Sequence, residues 1–203
     1  MATFITNRII EKAQALPEGG ILSPKEFLHL GSRGAVDMTF TRLVKEEKLI
    51  RVGWGLYTVP VLWRFGLRFP AFSALLAALS AKTGETFVVH GAMAANHIGL
   101  SMQVPVREIH LTSGPSRKLH MNNAVVELRH APAWQMLLGN SLEGKLIRAL
   151  DYLGPKHTKE MFPNLNRWMA WREYPEVKWE TLSEVSAALP AWLARVINEV
   201  AYA

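Results

Sequence analysis

The sequence predicts an α+β protein, and three observations carry that expectation. Residues up to about 48 repeat their apolar side chains at helical spacing, interrupted by Pro and Gly. Two later regions, 49–59 and 86–130, hold short β-prone runs separated by turn-forming residues. From residue 136 onward the pattern is helical again, with Gly and Pro stops. The expected organisation is a module over residues 1–60, followed by an α+β domain over 61–203. That domain divides into a small mixed α/β segment with a β-hairpin (61–135) and a helical C-terminal segment (136–203).

A first helix is expected from about Thr3 to Leu16, with Phe4, Ile9, Ala13 and Leu16 near helical spacing; Pro17 and Gly19-Gly20 stop it. Ser23-Pro24-Lys25-Glu26 opens the next helix, since Ser23 can cap, Pro24 suits the first turn and Glu26 completes a capping box. That helix stops at Gly31. Ser32 then caps a third, running to about Lys48, with Val36, Phe40, Leu43 and the stem of Glu47 on one face. Leu49–Val52 and Leu56–Val59 are β-prone, and Gly53-Trp54-Gly55 can turn between them. Three helices and a β-pair in this order predict a winged helix-turn-helix.

Further along, FPAFSALLAALSAKTG reads as a helix, TFVVH as a buried strand, GAMAANHIGL as a short helix and VREIHLTS as a strand. KLHM and AVVELRHA form a hairpin around Asn122-Asn123, because asparagine tolerates the positive φ of a tight turn. GNSLEGKLIRALDYLG, TKEMFPNLNRWMAWREYPE, SEVSAAL and PAWLARVINEVA are successive helices, with Trp168, Trp171, Trp179 and Trp192 mostly in the core.

The 203 residues carry a net charge of +6. Residues 1–60 hold 8 Lys+Arg against 6 Asp+Glu, residues 61–135 hold 7 against 3, and residues 136–203 hold 8 against 8. The excess cations therefore sit in the first two thirds, a balance that suits phosphate binding. The chain has no cysteine, which excludes disulfides, thiolate zinc sites and cysteine nucleophiles. No secretory h-region is present, and the longest apolar run is too short to span a bilayer. A soluble, cytoplasmic protein without membrane contact is expected.

The third helix has the makings of a reading helix. With Val36 and Phe40 inward, the helical wheel turns Gly34, Met38, Thr41, Arg42 and Lys45 outward, with Ser32 and Arg33 at the amino end. Arg can bond guanine bidentately, Thr can bond bases or phosphates, and the helix amino end offers free N–H groups. Arg42 and Lys45, further along, suit phosphate. Arg51 and Trp54 are the contacts expected of the β-pair. Asp37, Glu46 and Glu47 oppose DNA. The same helices and hairpin also suit a protein-interaction module, and Trp54 could equally fold back onto the helices.

Other constellations point nowhere sharper. The seven histidines lack the spacing of a helical zinc site, so neither metal nor cofactor is expected. His110, His120 and His130 lie in expected strands, where hydrogen-bonded sheet histidines are the plainer reading. Carboxylates are sparse in the middle segment, with only Glu85, Glu108 and Glu127, and no catalytic residues are assigned. In SGPSRKLH, residues Ser116, Arg117 and Lys118 form a basic loop able to meet phosphate, although a solvated turn accounts for them as well.

The stretch ILSPKEFLHLGSRGAVDMTFTRLVKEEKLIRVGWGLYTVP resembles the N-terminal module of the AbiEi-type antitoxins. The motif runs from an SPKDF-like start through GSR-x-AVD to a G-x-GLY-x-x-P end. IHLTSGPSRKLHMNNAVVELRHA and LPAWLARVINEV also look like that family. The resemblance implies a DNA-binding transcriptional regulator that represses its own operon. It also implies an antitoxin of a type IV toxin–antitoxin, or abortive-infection, pair active in phage defence. Its partners would be operator DNA and a cognate nucleotidyltransferase-like toxin, with no stable complex required. Residue by residue, it carries DNA contact onto Ser32, Arg33, Thr41, Arg42, Lys45 and Arg51. One departure is Trp54, which stands where relatives often have a basic residue. A protein-binding toxin neutraliser that does not read DNA is the alternative.

Overall fold

The computed structural model describes residues 2–121, 124–161 and 177–201. The architecture is mixed α+β, and the chain divides into two units. The first comprises residues 1–85 and 117–127, the second residues 86–116 and 128–203. The domain boundary expected at residue 60 falls inside the first unit.

In the first unit, α1 (Ala2–Gln14) is followed by a 3₁₀ segment, Pro24–Leu30, and α2 (Arg33–Lys45). α1 buries Ile5, Ile9 and Ala13, one row at four-residue spacing; Phe4, expected inside, is exposed because it lies off that row. The Glu26 carboxylate accepts from the Ser23 N–H at 2.9 Å, the backbone half of the expected capping box. Ser32 caps α2, its Oγ accepting from the Ala35 N–H at 3.3 Å. α2 ends at Lys45, before the expected Lys48. Glu47 is past the helix in a left-handed conformation (φ 55°) and cannot share the helix's inner face.

Two strands follow. β1 (Ile50–Gly53) pairs antiparallel with β2 (Leu56–Thr58) around Trp54-Gly55, with Gly55 at φ 66°. Leu22 bridges Tyr57 from the other side through two backbone hydrogen bonds. The core of this unit gathers Ile5, Ile9, Leu22, Phe27, Val36, Phe40, Leu43, Leu49 and Tyr57. Phe40 is its aromatic centre, with ring centroids 5.6 Å from Phe27 and 4.7 Å from Tyr57.

A second hairpin, unforeseen from the sequence, comes next: β3 (Val61–Trp63) pairs with β4 (Gly66–Arg68). α3 (Phe72–Thr83) then ends at Gly84 in the left-handed conformation. Gly19 packs on α3 so closely that a Cβ would lie 2.6 Å from backbone atoms of Ala74 and Leu75. Strand β7 (Arg117–Met121) and the first half of β8 (Ala124–His130) complete the unit.

The second unit contains β5 (Phe87–Val89), α4 (Gly91–His97), β6 (Ile109–Thr112) and the remainder of β8. Within this unit β5 and β6 pair antiparallel. The short helix α5 (Ala133–Met136) leads to α6 (Leu142–Met161), which is broken at Gly154 (φ 78°, ψ 169°) immediately before Pro155. α7 (Trp179–Glu184), a 3₁₀ turn (Ser186–Ala188) and α8 (Ala191–Ala201) follow. SEVSAAL is therefore the end of one helix and a 3₁₀ turn rather than a helix of its own. The core here is Ala94, Ala95 and Ile98 of α4 with Leu146, Ile147, Ala149 and Leu150 of α6, Leu182 of α7, and Leu193 and Ile197 of α8. Trp179 and Trp192 pack partly buried against it, as expected. The Asn122-Asn123 turn, Trp168, Trp171 and most of the expected helix TKEMFPNLNRWMAWREYPE lie outside the described residues.

Candidate nucleic-acid interface

α2 exposes one face completely and buries the other. Val36, Phe40 and Leu43 are inaccessible to solvent, while Ser32, Arg33, Gly34, Met38, Thr41, Arg42 and Lys45 are all exposed. Met38 is 75% exposed. It lines a groove of about 630 Å³ with Thr41, Arg42 and Lys45. The wheel inferred from the sequence is therefore the one observed.

Arg33, Thr41 and Arg42 on this face have local partners. Arg33 Nε donates to Asp37 Oδ2 at 2.7 Å, one turn on. Thr41 Oγ1 donates to the Asp37 carbonyl at 2.9 Å, leaving its oxygen lone pairs outward. Arg42 hydrogen-bonds to Thr6 of α1 and lies 3.8 Å from Glu46. These ion pairs are solvent-exposed, so exchanging them for a phosphate or base edge costs little. Glu46 has a lowered pKa, held down first by Lys48 and then by Arg42, and so keeps its negative charge beside the helix end.

Trp54 stands out from the β1–β2 turn, 89% exposed, and does not fold back onto the helices. A cleft of about 460 Å³ brings it together with Lys25, Arg33, Thr41, Arg51 and Asp37. Four of the sequence-identified residues thus line one concavity. Lys25 joins them unforeseen; its position in the first turn of the 3₁₀ segment gives no periodic signal. A second concavity, about 580 Å³, places Arg51, Trp54 and Leu56 beside Arg117, Lys118 and His120 of β7.

The expected basic loop is shorter than its composition suggested: Arg117, Lys118 and His120 belong to strand β7, and only residues 113–116 precede it as a turn. Ser113 Oγ accepts from the Thr86 N–H at 2.9 Å, and Ser116 Oγ accepts from the His130 N–H at 2.8 Å. Arg117 makes a two-pronged pair with Glu85, at 3.1 and 2.7 Å. Ser116 therefore fastens backbone, while Lys118 and His120 point from the exposed side of β7. His130 Nδ1 is 3.0 Å from the Gly114 carbonyl, and His110 lies 3.7 Å from Glu108, with burial lowering its pKa. Among the described residues no group of three His, Asp or Glu side chains could hold a metal. No helix among them is long and apolar enough to cross a membrane.

A family model, that of a family of unknown function (DUF6088), matches residues 8–165. The chain belongs to that family. Both the α2 face and the β1–β2 turn of this DUF6088 protein fall within the matched residues. No curated protein matches the chain.

Proposed function

We propose that this DUF6088 protein binds DNA through its first unit, which we read as a winged helix-turn-helix. In this reading α2 is the recognition helix and the β1–β2 hairpin is the wing. One observation carries it: a capped helix with a wholly buried inner face and a wholly exposed outer face bearing Arg33, Met38, Thr41, Arg42 and Lys45, flanked by an exposed turn. Such a helix fits the major groove, where Arg33 meets base edges and Arg42 and Lys45 meet phosphate. The resemblance of its motifs to AbiEi-type antitoxins supports the wider role. That role is a cytoplasmic transcriptional regulator that represses its own operon and, without catalysis, counteracts a nucleotidyltransferase-like toxin in abortive infection.

The test is a mobility-shift assay on the DNA directly upstream of the protein's own reading frame. Arg33→Ala is expected to weaken specific binding by about 1–3 kcal/mol and relax specificity. Lys45→Ala is expected to weaken all duplexes alike and to shallow the salt slope by about 1. No shift at low salt would end the reading.

A second reading is favoured by one specific feature, the β3–β4 hairpin. Leu62, Trp63, Phe65 and Leu67 are all exposed there, and Arg64 stacks over both aromatic rings. Contiguous exposed apolar side chains mark protein contact surfaces. A toxin neutraliser acting by direct binding would use it, and would co-purify with the toxin through that hairpin.

A further inference from the structure

The first unit has two tryptophans, Trp54 and Trp63, and both are exposed. They differ in what lies over them. Arg64 sits 5.3 Å from the Trp63 ring centre, and Phe65 meets that ring edge-to-face at 5.6 Å. No ring or cation among the described residues stacks on Trp54. Its indole is therefore a bare stacking surface. The backbone holds that ring beside a strand from distant sequence. β1 carries a bulge: Arg51 pairs with Tyr57 and Gly53 with Leu56, which leaves Val52 as the extra residue. A bulge bends its strand and sharpens the local twist. Past it, Gly53 packs against β7, where a Cβ would lie 3.5 Å from Leu119 and 3.7 Å from the Lys118 carbonyl. Leu119 is buried, so strand alternation puts Lys118 and His120 on the opposite, exposed face. Arg51, Trp54, Lys118 and His120 line one cleft of about 580 Å³, all within the first unit. That volume is in the range of small-ligand pockets, about 300–1,000 Å³.

The charge in this cleft is positive, and its lining has no carboxylate. Glu85 engages Arg117 in the two-pronged pair, so Arg51 and Lys118 carry the excess. Arg51 commits only Nε locally, donating to the Gly53 carbonyl at 3.4 Å. Its Nη groups and the Lys118 ammonium have no partner among the described residues. An inorganic anion would use the cations and leave the indole idle. An apolar ligand would do the reverse. A flat ring that carries phosphate uses both. We propose that this cleft binds a nucleotide, with its base stacked on Trp54 and its phosphates held by Lys118 and Arg51. The cleft has one indole, which matches one base; platforms for single-stranded nucleic acid stack successive bases on several aromatic side chains. Two cations suit the two phosphates of a nucleoside diphosphate, since charge-assisted hydrogen bonds are the strong ones. Every base has a π face, so the indole selects for a base without selecting which. This site goes beyond the DNA reading and does not rest on it.

The experiment is a calorimetric titration of the full chain with ADP, with adenosine, inorganic phosphate and single-stranded oligothymidylate as comparison ligands. The expected result is one ADP per chain, bound more tightly than adenosine or inorganic phosphate. Trp54→Ala should lower ADP affinity roughly tenfold, within the range of a lost base stack, while Trp54→Phe, which keeps a ring, should retain most of it. Lys118→Ala should lower ADP affinity on the order of tenfold, the size of a lost hydrogen bond to a charged group, and leave adenosine binding unchanged. Trp54 and Lys118 are both exposed, so their replacement leaves the core intact, which circular dichroism verifies. The inference is overturned if ADP shows no saturable binding up to about 1 mM, the weak end of the affinity scale. It is overturned equally if Trp54→Ala binds ADP like wild type, or if inorganic phosphate binds as well as ADP. Tighter binding of oligothymidylate than of ADP through Trp54 would also overturn it, since the cleft would then be a strand-binding platform. The titration contains no duplex, so its failure leaves the DNA reading standing, and failure of the upstream mobility shift leaves this site standing.

Discussion

The Glu26 carboxylate lies among an unusual number of donors: the Ser23 N–H at 2.9 Å, the Lys12 ammonium at 2.8 Å and the Lys82 ammonium. Lys82 also donates to the Ile21 carbonyl at 2.7 Å. One side chain therefore ties the 3₁₀ segment to α1 and α3. Its burial opposes the charge, but the two lysines outweigh it, and its pKa lies below the usual 4.5. A carboxyl whose folded pKa is depressed stabilises the fold above the unfolded value, and that contribution is lost as pH falls through the folded value. Wild type should therefore lose stability on acidification from just above 4.5 downward, while Glu26→Gln, already weakened at neutral pH, should show a shallower acid limb. Urea midpoints measured across that range check this; parallel acid limbs would remove Glu26 from the account. A different buried charge, Arg148, has no such ionic partner among the described residues. Burial lowers its pKa to about 10, so it stays protonated at neutral pH, donating to the Gln135 carbonyl at 3.0 Å and the Gly139 carbonyl at 2.7 Å. Nothing in its sequence position, between Ile147 and Ala149, announced that role.

Among the elements, α4 and α6 show how a close crossing depends on a missing side chain. α4 is capped by His90, whose Nδ1 accepts from the Ala92 N–H at 3.2 Å, and its first residue, Gly91, faces α6. A Cβ there would lie 2.5 Å from the Arg148 carbonyl oxygen and 2.7 Å from the Tyr152 Cβ. Neither neighbour is a flexible side-chain end, so the helices must part. Gly91→Ala should cost about 1–3 kcal/mol, the usual penalty for overpacking. Gly34, within α2, has open space where its Cβ would go. Gly34→Ala should therefore be neutral or stabilising by up to about 1 kcal/mol. Thermal melts of both variants check the contrast, and equal effects would contradict the packing argument. Most helices and strands were readable because a half-buried element repeats its apolar residues at its own period, as α2 and β7 do. The β3–β4 hairpin was not. Val61–Arg68 is apolar on both faces, its apolar residues are exposed rather than alternating inward, and Arg64-Phe65 is not turn chemistry. Only Gly66, at φ 112°, fits a turn.

The candidate site divides along the same physical line. The outward residues of α2 were readable because a wheel needs only local spacing, whereas the cations of β7 beside Trp54 depend on how the chain returns. That return also bears on what can fold alone. A module ending at Pro60 looked self-contained, since three helices and a hairpin supply a core around Phe40. Yet several of its groups are satisfied by residues beyond that point. Glu18 pairs with Arg68 at 3.0 Å and accepts from the Ala71 N–H at 2.8 Å; Glu26 and the Ile21 carbonyl meet Lys82; Gly19 packs on α3; and Gly53 abuts β7. A 60-residue chain buries about 60% of its unfolded surface, a smaller share than a larger domain, and tolerates few such losses. A fragment of residues 1–60 should therefore lack a cooperative thermal transition and give poorly dispersed amide resonances, while the full chain melts cooperatively. Restoring residues 61–85 should recover part of that transition, because α3 returns with its contacts to Gly19, Ile21 and Glu26. If residues 1–60 melt cooperatively by themselves, the α3 and β7 contacts are accessories to a self-sufficient module. The sequence boundary would then be the physical one.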